Sequence, residues 1–259
     1  MAELMPLRLI DITSERLEEW LQKESITRAT STAGAFRLFR AFINWCKEKK
    51  RYTGLLVVAD VGRIARKTIP KGKSKDDCLQ REQLNSWFKA VQQISNPVIS
   101  AYLQVTLLSG ARREEIACLQ WEDVDFRWLT MTIRDKVEGE RVIPLTPYVA
   151  HLLSGLPRRN QWVFSSMSAA DGRLVEPRIA HNKALAVAGL PSLSIHGLRR
   201  SFGTLAEWVE MPTGVVAQIQ GHKPSAIAEK HYRRRPVDLL RMWHTKLEAW
   251  ILECAGVEF

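Results

Sequence analysis

Cysteine is scarce and never clustered. Cys46, Cys78, Cys118 and Cys254 stand far apart, with no C-x-x-C pair and no histidine at finger-like spacing. That pattern excludes a disulfide framework and a structural zinc site, and it suits a reducing compartment. The chain opens on no apolar signal-peptide core, and no run approaches the roughly 20 apolar residues a membrane span needs. A soluble protein of the cytoplasm is expected. Internal repeats and low-complexity tracts are also missing. Acidic residues are outnumbered: 28 Asp and Glu face 38 Lys and Arg, a formal net charge of +10. Such an excess suits a polyanionic partner, nucleic acid first and an anionic membrane surface second, although a basic surface can also serve solubility alone.

What is present divides the chain. Residues 14–50 carry apolar stripes at helical spacing, Leu17, Trp20 and Leu21 first, then Phe36, Phe39, Phe42, Ile43 and Cys46, with Ser14 as candidate N-cap. Arg28, Arg37, Arg40 and the cluster from Lys47 to Arg51 would lie on the polar faces of this small helical domain, expected over residues 1–65. The stretch R-I-A-R-K-T-I-P-K-G-K-S-K loses the apolar period. Residues 66–76 therefore read as a basic linker. Arg63, Arg66, Lys67, Lys71 and Lys73 are candidate DNA-backbone contacts there.

Residues 77–259 read as a second domain, mainly helical. Helices are expected over 83–94, 97–109 and 113–119. A strand over 128–135, a turn built on Gly139 and a returning strand over 141–146 form a hairpin. Residues 161–165 are a candidate third strand. Beyond Pro177 the pattern is again helical, ending in an amphipathic segment over about 237–253 marked by Leu240, Trp243, Leu247, Trp250 and Ile251.

Four segments could carry chemistry. In S-G-A-R-R-E-E-I, Arg112 follows a glycine turn and opens a helix, where a guanidinium and a helix N-terminus can share one anion. Glu115, three residues on, could pair with an arginine on the same face. In I-H-G-L-R-R-S-F-G-T, His196 and Arg199 are three apart, a proton acceptor beside a phosphate clamp. A lone H-x-x-R is more often structural. Lys136, at the hairpin, could donate a proton, or could merely protect a sheet edge. In G-H-K-P-S-A-I-A-E-K-H-Y-R-R-R-P, His222 precedes Tyr232 and the arginines 233–235. A phenol titrating near ~10 needs cationic neighbours or a base before it becomes a nucleophile. Taken alone, Tyr232 would read as a packed tyrosine.

The ordered set Arg112, Lys136, His196, Arg199, His222, Tyr232 resembles the tyrosine recombinase, or phage-type integrase, family. The resemblance runs from about Leu79 to Arg241, and the preceding helices look like that family's core-DNA-binding domain. It implies a small helical domain followed by an α+β catalytic domain with a small antiparallel sheet. It also implies roles. Arg112 and Arg199 would hold the nonbridging oxygens of a scissile phosphate. Lys136 would protonate the departing 5′-oxygen, His196 would serve as base, His222 would donate to the phosphate, and Tyr232 would bond to the 3′-phosphate. Glu115 matches an acidic position that supports the arginines. Arg233, Arg234 and Arg235 would contact DNA or anchor the tail.

No metal, ATP or other cofactor is implied. The expected partners are double-stranded DNA at attachment or core sites and further copies of the chain, as a tetramer on DNA. Directionality or DNA-bending factors are possible additional partners, and a membrane is not expected. Ser109 stands where the family commonly has threonine, and one extra residue separates His222 from Tyr232, with His231 just before the tyrosine. No additional N-terminal arm-binding domain is seen, as in a simple recombinase or a chain beginning at the core-binding domain. The tail helix could dock on its own domain or on a neighbouring copy. A type IB topoisomerase and a non-catalytic DNA-binding relative are the competing readings.

Overall fold

The computed structural model describes residues 3–55, 64, 76–135, 139–222 and 235–259. The chain forms two compact units, Met1–Lys75 and Asp76–Phe259.

The first unit is dominated by α1 (Ser14–Glu48), followed by the short α2 (Lys50–Thr53). The N-cap of α1 is Thr13, not Ser14: its side-chain oxygen accepts the Arg16 amide at 3.3 Å. The helix is broken at Arg28, whose φ and ψ are non-helical. The surrounding Ser25, Thr27, Thr30, Ser31 and Thr32 explain why the break falls there, since they are weak helix formers that compete for backbone groups. Thr32 does so, its hydroxyl donating to the Arg28 carbonyl at 2.9 Å. Leu17, Trp20, Leu21, Phe36, Phe39 and Ile43 make the core with Leu4, Ile12 and Ile64. Phe42 is excluded from that stripe and is 44% exposed. At 100° per residue it falls at the stripe's edge, and it stacks instead with Trp45, centroids 6.3 Å apart.

The second unit is built around α4 (Pro97–Ser109), which is buried along almost its whole surface. Its sequence supplies both ends. The Asn96 side chain accepts from the Val98 amide, Pro97 occupies the first turn, and Gly110 closes the helix in the left-handed region at φ 60°. Packed around it are α3 (Leu84–Gln92), α5 (Arg113–Ala117), α6 (Pro147–Ser154), α7 (Arg178–Val187), α8 (Ile195–Ala206), α9 (Thr213–Gln220) and α10 (Val237–Ala255). The sheet is antiparallel, in the order β1 (Val124–Asp125), β2 (Thr130–Asp135), β3 (Gly139–Pro144). The fold is thus mainly helical with a three-stranded sheet. The third strand is β1 and not residues 161–165. That segment makes only isolated bridges, Gln120 with Trp162 and Ser165 with Arg173, because Val163 and Phe164 both turn into the core.

Helix α10 packs on its own unit. Leu240, Leu247, Ile251, Leu252 and Ala255 join the main core. Buried Glu248 accepts the Thr146 hydroxyl and the amides of Tyr148 at 2.9 Å and Val149 at 3.3 Å, so the tail helix caps the first turn of α6. His244 lies in the core with its Nε2 2.7 Å from the Leu108 carbonyl and its ring edge-on to Phe202.

Candidate active site

Three chain segments converge at the C-terminal end of α4. Gly110 is needed there for two reasons: its φ is positive, and an added Cβ would lie 2.6 Å from the Phe202 ring. The turn delivers Arg112 to the N-cap position of α5. The backbone amide of Arg112 donates to Glu115 Oε2 at 2.7 Å and its guanidinium to Oε1 at 2.8 Å, while Nη2 reaches the Gly221 carbonyl at 3.3 Å. Glu115 is buried. It accepts a second guanidinium, that of Arg141 on β3, through both oxygens at 3.0 and 2.7 Å. Burial would raise the Glu115 carboxyl, but the Arg141 hydrogen bonds, the Arg112 amide and the two positive charges outweigh it, holding it below the usual range.

Helix α8 brings the second group. Ser194 caps it, accepting the Gly197 amide at 3.0 Å. Arg199 is buried, and its Nη1 donates to the carbonyls of Gly110 and Gln220, both at 2.8 Å. Gln220 answers by donating to the Arg199 carbonyl at 2.9 Å. One arginine thereby ties the end of α4, helix α8 and the end of α9 together. His196, one turn earlier, is exposed. Partial desolvation and then the charges of Arg200 and Arg199 hold its imidazole below the usual value, against a smaller upward pull from Asp77.

The third segment is the end of α9, where Gly221 takes φ 70° and the exposed His222 follows. His222 is also held below the usual value, by desolvation and then by Arg199, Arg112 and Arg141. Both imidazoles are therefore neutral at physiological pH among fixed cations. Such a cluster can hold a tetrahedral oxyanion and still offer a neutral nitrogen as proton acceptor.

Arg112, Glu115, His196, Arg199 and His222 are thus brought together. Arg235 lies elsewhere, ahead of α10 and against α9: its amide donates to the Gln218 side chain at 3.3 Å and its carbonyl accepts from that side chain at 2.9 Å. Lys136, Tyr232, Arg63, Arg66, Lys67, Lys71, Lys73, Arg233 and Arg234 lie outside the described residues. The strand ends flanking Lys136 are paired, Asp135 with Gly139.

Sequence reasoning missed two supports. Arg141 was legible in principle. In R-V-I-P-L it alternates with the buried Ile143 and Leu145, and a charge on an apolar strand face calls for a buried partner. Asp77 was not legible. It accepts the Ser194 amide at 2.8 Å, the Ser194 hydroxyl at 2.7 Å and the Arg200 guanidinium, while Leu79 N donates to Ser201 Oγ at 2.7 Å. The first residues of the second unit are thereby fastened to the helix carrying His196 and Arg199, across more than a hundred residues of chain.

Fold and cluster together define a protein with a helical unit ahead of an α-rich unit, whose arginines and neutral histidines are gathered for an oxyanion. Residues 1–67 match the phage integrase core-binding domain and residues 77–237 the phage integrase family. The chain belongs to the phage integrase family. It is 57% identical over 267 residues to prophage integrase IntF of Escherichia coli K12, covering 99% of this chain and 57% of that relative. The chain thus spans a little over half the length of that relative. XerH recombinase bound to difH after cleavage matches with TM-score 0.67 at 16% identity, covering 96% of this chain and 73% of that one. A lambda integrase tetramer bound to a Holliday junction matches with TM-score 0.63 at 15% identity, covering 88% and 68%. These two structures share the fold.

Proposed function

We propose that the protein is a tyrosine-type site-specific DNA recombinase, an integrase that cuts and rejoins DNA through a 3′-phosphotyrosine in order to integrate or excise a phage or other mobile element. The observation that carries the proposal is the convergence of Arg112, Arg199, His196 and His222 from separate segments onto one cationic site. Family membership and the similarity to prophage integrase IntF support it.

In this reading Arg112 and Arg199 bind the nonbridging oxygens of the scissile phosphate. They stabilise the charge that grows on those oxygens as phosphorus becomes pentacoordinate. Tyr232 attacks in line, His196 takes its proton, His222 donates to the phosphate, and Lys136 protonates the 5′-oxygen as it leaves. The bond energy is kept in the phosphotyrosine, so a 5′-hydroxyl from another strand can reverse the step on a new partner. Glu115 supports Arg112. Residues 1–65 form the core-binding domain, 66–76 the linker and 77–259 the catalytic domain. Arg63, Arg66, Lys67, Lys71, Lys73, Arg233, Arg234 and Arg235 are assigned to the DNA backbone or, for the last three, to anchoring the tail. The working assembly is a tetramer on duplex core sites in the bacterial cytoplasm, associated with the nucleoid and joined by directionality or bending factors. The Holliday-junction tetramer of lambda integrase is the model for it.

The test uses nicked half-site DNA carrying the protein's own core site. The wild type is expected to form an SDS-resistant protein–DNA adduct. Tyr232→Phe should abolish the adduct while leaving binding intact. Binding without any wild-type adduct would overturn the enzymatic reading. Ready relaxation of supercoils with no junction formation would favour a type IB topoisomerase.

A further inference from the structure

We infer that Arg141 is a positioning residue for strand cleavage, a clamp that holds the Arg112 and His222 segments in register through Glu115 and the Ile219 carbonyl. The inference rests on the recombinase reading and adds a residue to that site.

All three guanidinium nitrogens of Arg141 already donate within the protein. Nε bonds the Ile219 carbonyl at 2.9 Å, Nη1 bonds Glu115 Oε1 at 3.0 Å, and Nη2 bonds Oε2 at 2.7 Å. Its side chain is only 16% exposed, against 38% for Arg112. Arg112 is thus the more open guanidinium, and Arg141 is committed behind it. On the other side, an added Cβ on Gly221 would lie 2.7 Å from Nη1 and 2.8 Å from the guanidinium carbon, so the chain leading into His222 lies directly against this group. Arg141 is also paired across the sheet with Ile133, which fixes it on β3 of the β2–β3 hairpin. One planar fork therefore joins the Arg112 turn, the His222 turn and the hairpin. Lysine has the charge but lacks the two-pronged geometry that grips a carboxylate and a carbonyl at once.

The test compares wild type with Arg141→Met, Arg141→Lys, Glu115→Gln and the Arg141→Met/Glu115→Gln double variant. Core-site affinity and the single-turnover rate of adduct formation on saturating nicked half-site DNA are measured from pH 5.5 to 8.5. Folding of each variant is checked by its unfolding midpoint, and Arg141→Lys carries the test if the Met variant does not fold. The expected result is near-normal affinity with a cleavage rate about a hundredfold lower for Met, and incomplete rescue by Lys, because misplacing a clamp by about 1 Å costs about that much. Glu115→Gln should add little to Arg141→Met. The acid limb of the rate should move to higher pH in the Met variant, since the Glu115 carboxylate then loses its principal partner. A wild-type rate in both Arg141 variants, or losses that multiply in the double variant, would overturn the inference. A loss confined to affinity would make Arg141 a DNA contact instead. Absence of an adduct in the wild type would overturn the recombinase reading itself, and it is seen before any variant is compared.

Discussion

Guanidinium groups hold the carboxyl at position 115 down against burial, while the imidazoles at 196 and 222 are lowered first by desolvation and then by the neighbouring guanidiniums. Cations stabilise the carboxylate and penalise a second positive charge on each histidine, which leaves both rings free to take a proton near pH 7. Two other histidines have no such role and still govern stability. His181, which accepts the Trp87 indole N–H at 3.2 Å, and His244, in the core, are both pushed down to about 4 by burial. Their folded values lie below the unfolded 6.5, so the stability they confer is complete above pH 6.5 and is lost as the pH falls toward 4. Each can forfeit about 3 kcal/mol over that window. The urea midpoint is therefore expected to fall steeply between pH 6.5 and 4.5. Replacing either residue with Asn should flatten that slope, whatever it does to the midpoint at neutral pH.

At the scale of elements, helix ends locate the chemistry. Arg112 begins α5 and His222 follows α9, while α8 carries His196 and Arg199 in its first turns. Two helix starts depend on partners distant in sequence: Asp77 for α8, and Glu248 of α10 for α6. Glu248 shows that α10 is part of the second unit's own frame. Its carboxyl is raised by burial, and among the described residues it meets only three donors from the start of α6. Glu248→Ala strands the Tyr148 and Val149 amides and the Thr146 hydroxyl. It should destabilise the protein by about 2–4 kcal/mol in urea unfolding. Glu248→Gln, which retains one acceptor oxygen, should lose less. If the alanine variant unfolded at the wild-type midpoint, the tail helix would not be the cap of α6.

For the whole molecule the controlling quantity is the net charge of +10. Phosphate neutralisation releases counterions, so binding to duplex DNA should weaken linearly on a double-logarithmic plot against salt. The loss should reach about a thousandfold or more between 50 and 200 mM if six or more phosphates are contacted. Titration by fluorescence anisotropy reads the slope, and a flat profile would remove the electrostatic basis of the DNA reading. Sequence patterns alone located the helix over Pro97–Ser109 and the hairpin, since an Asn-Pro cap and a glycine turn are local signals. The segment at 161–165 misled because two buried apolar residues look alike in a strand and in a loop turned inward.

Order along the chain was enough to nominate Arg112, His196, Arg199 and His222, because each sits in a short motif whose residue types carry their own chemistry. Tertiary structure decided what surrounds them. Arg141, Asp77 and Glu248 act through partners 26, 117 and about 100 residues away. No periodicity in a single sequence encodes contacts of that range. They arise only when burial forces each charge to find the donor or acceptor that the packed fold has brought beside it.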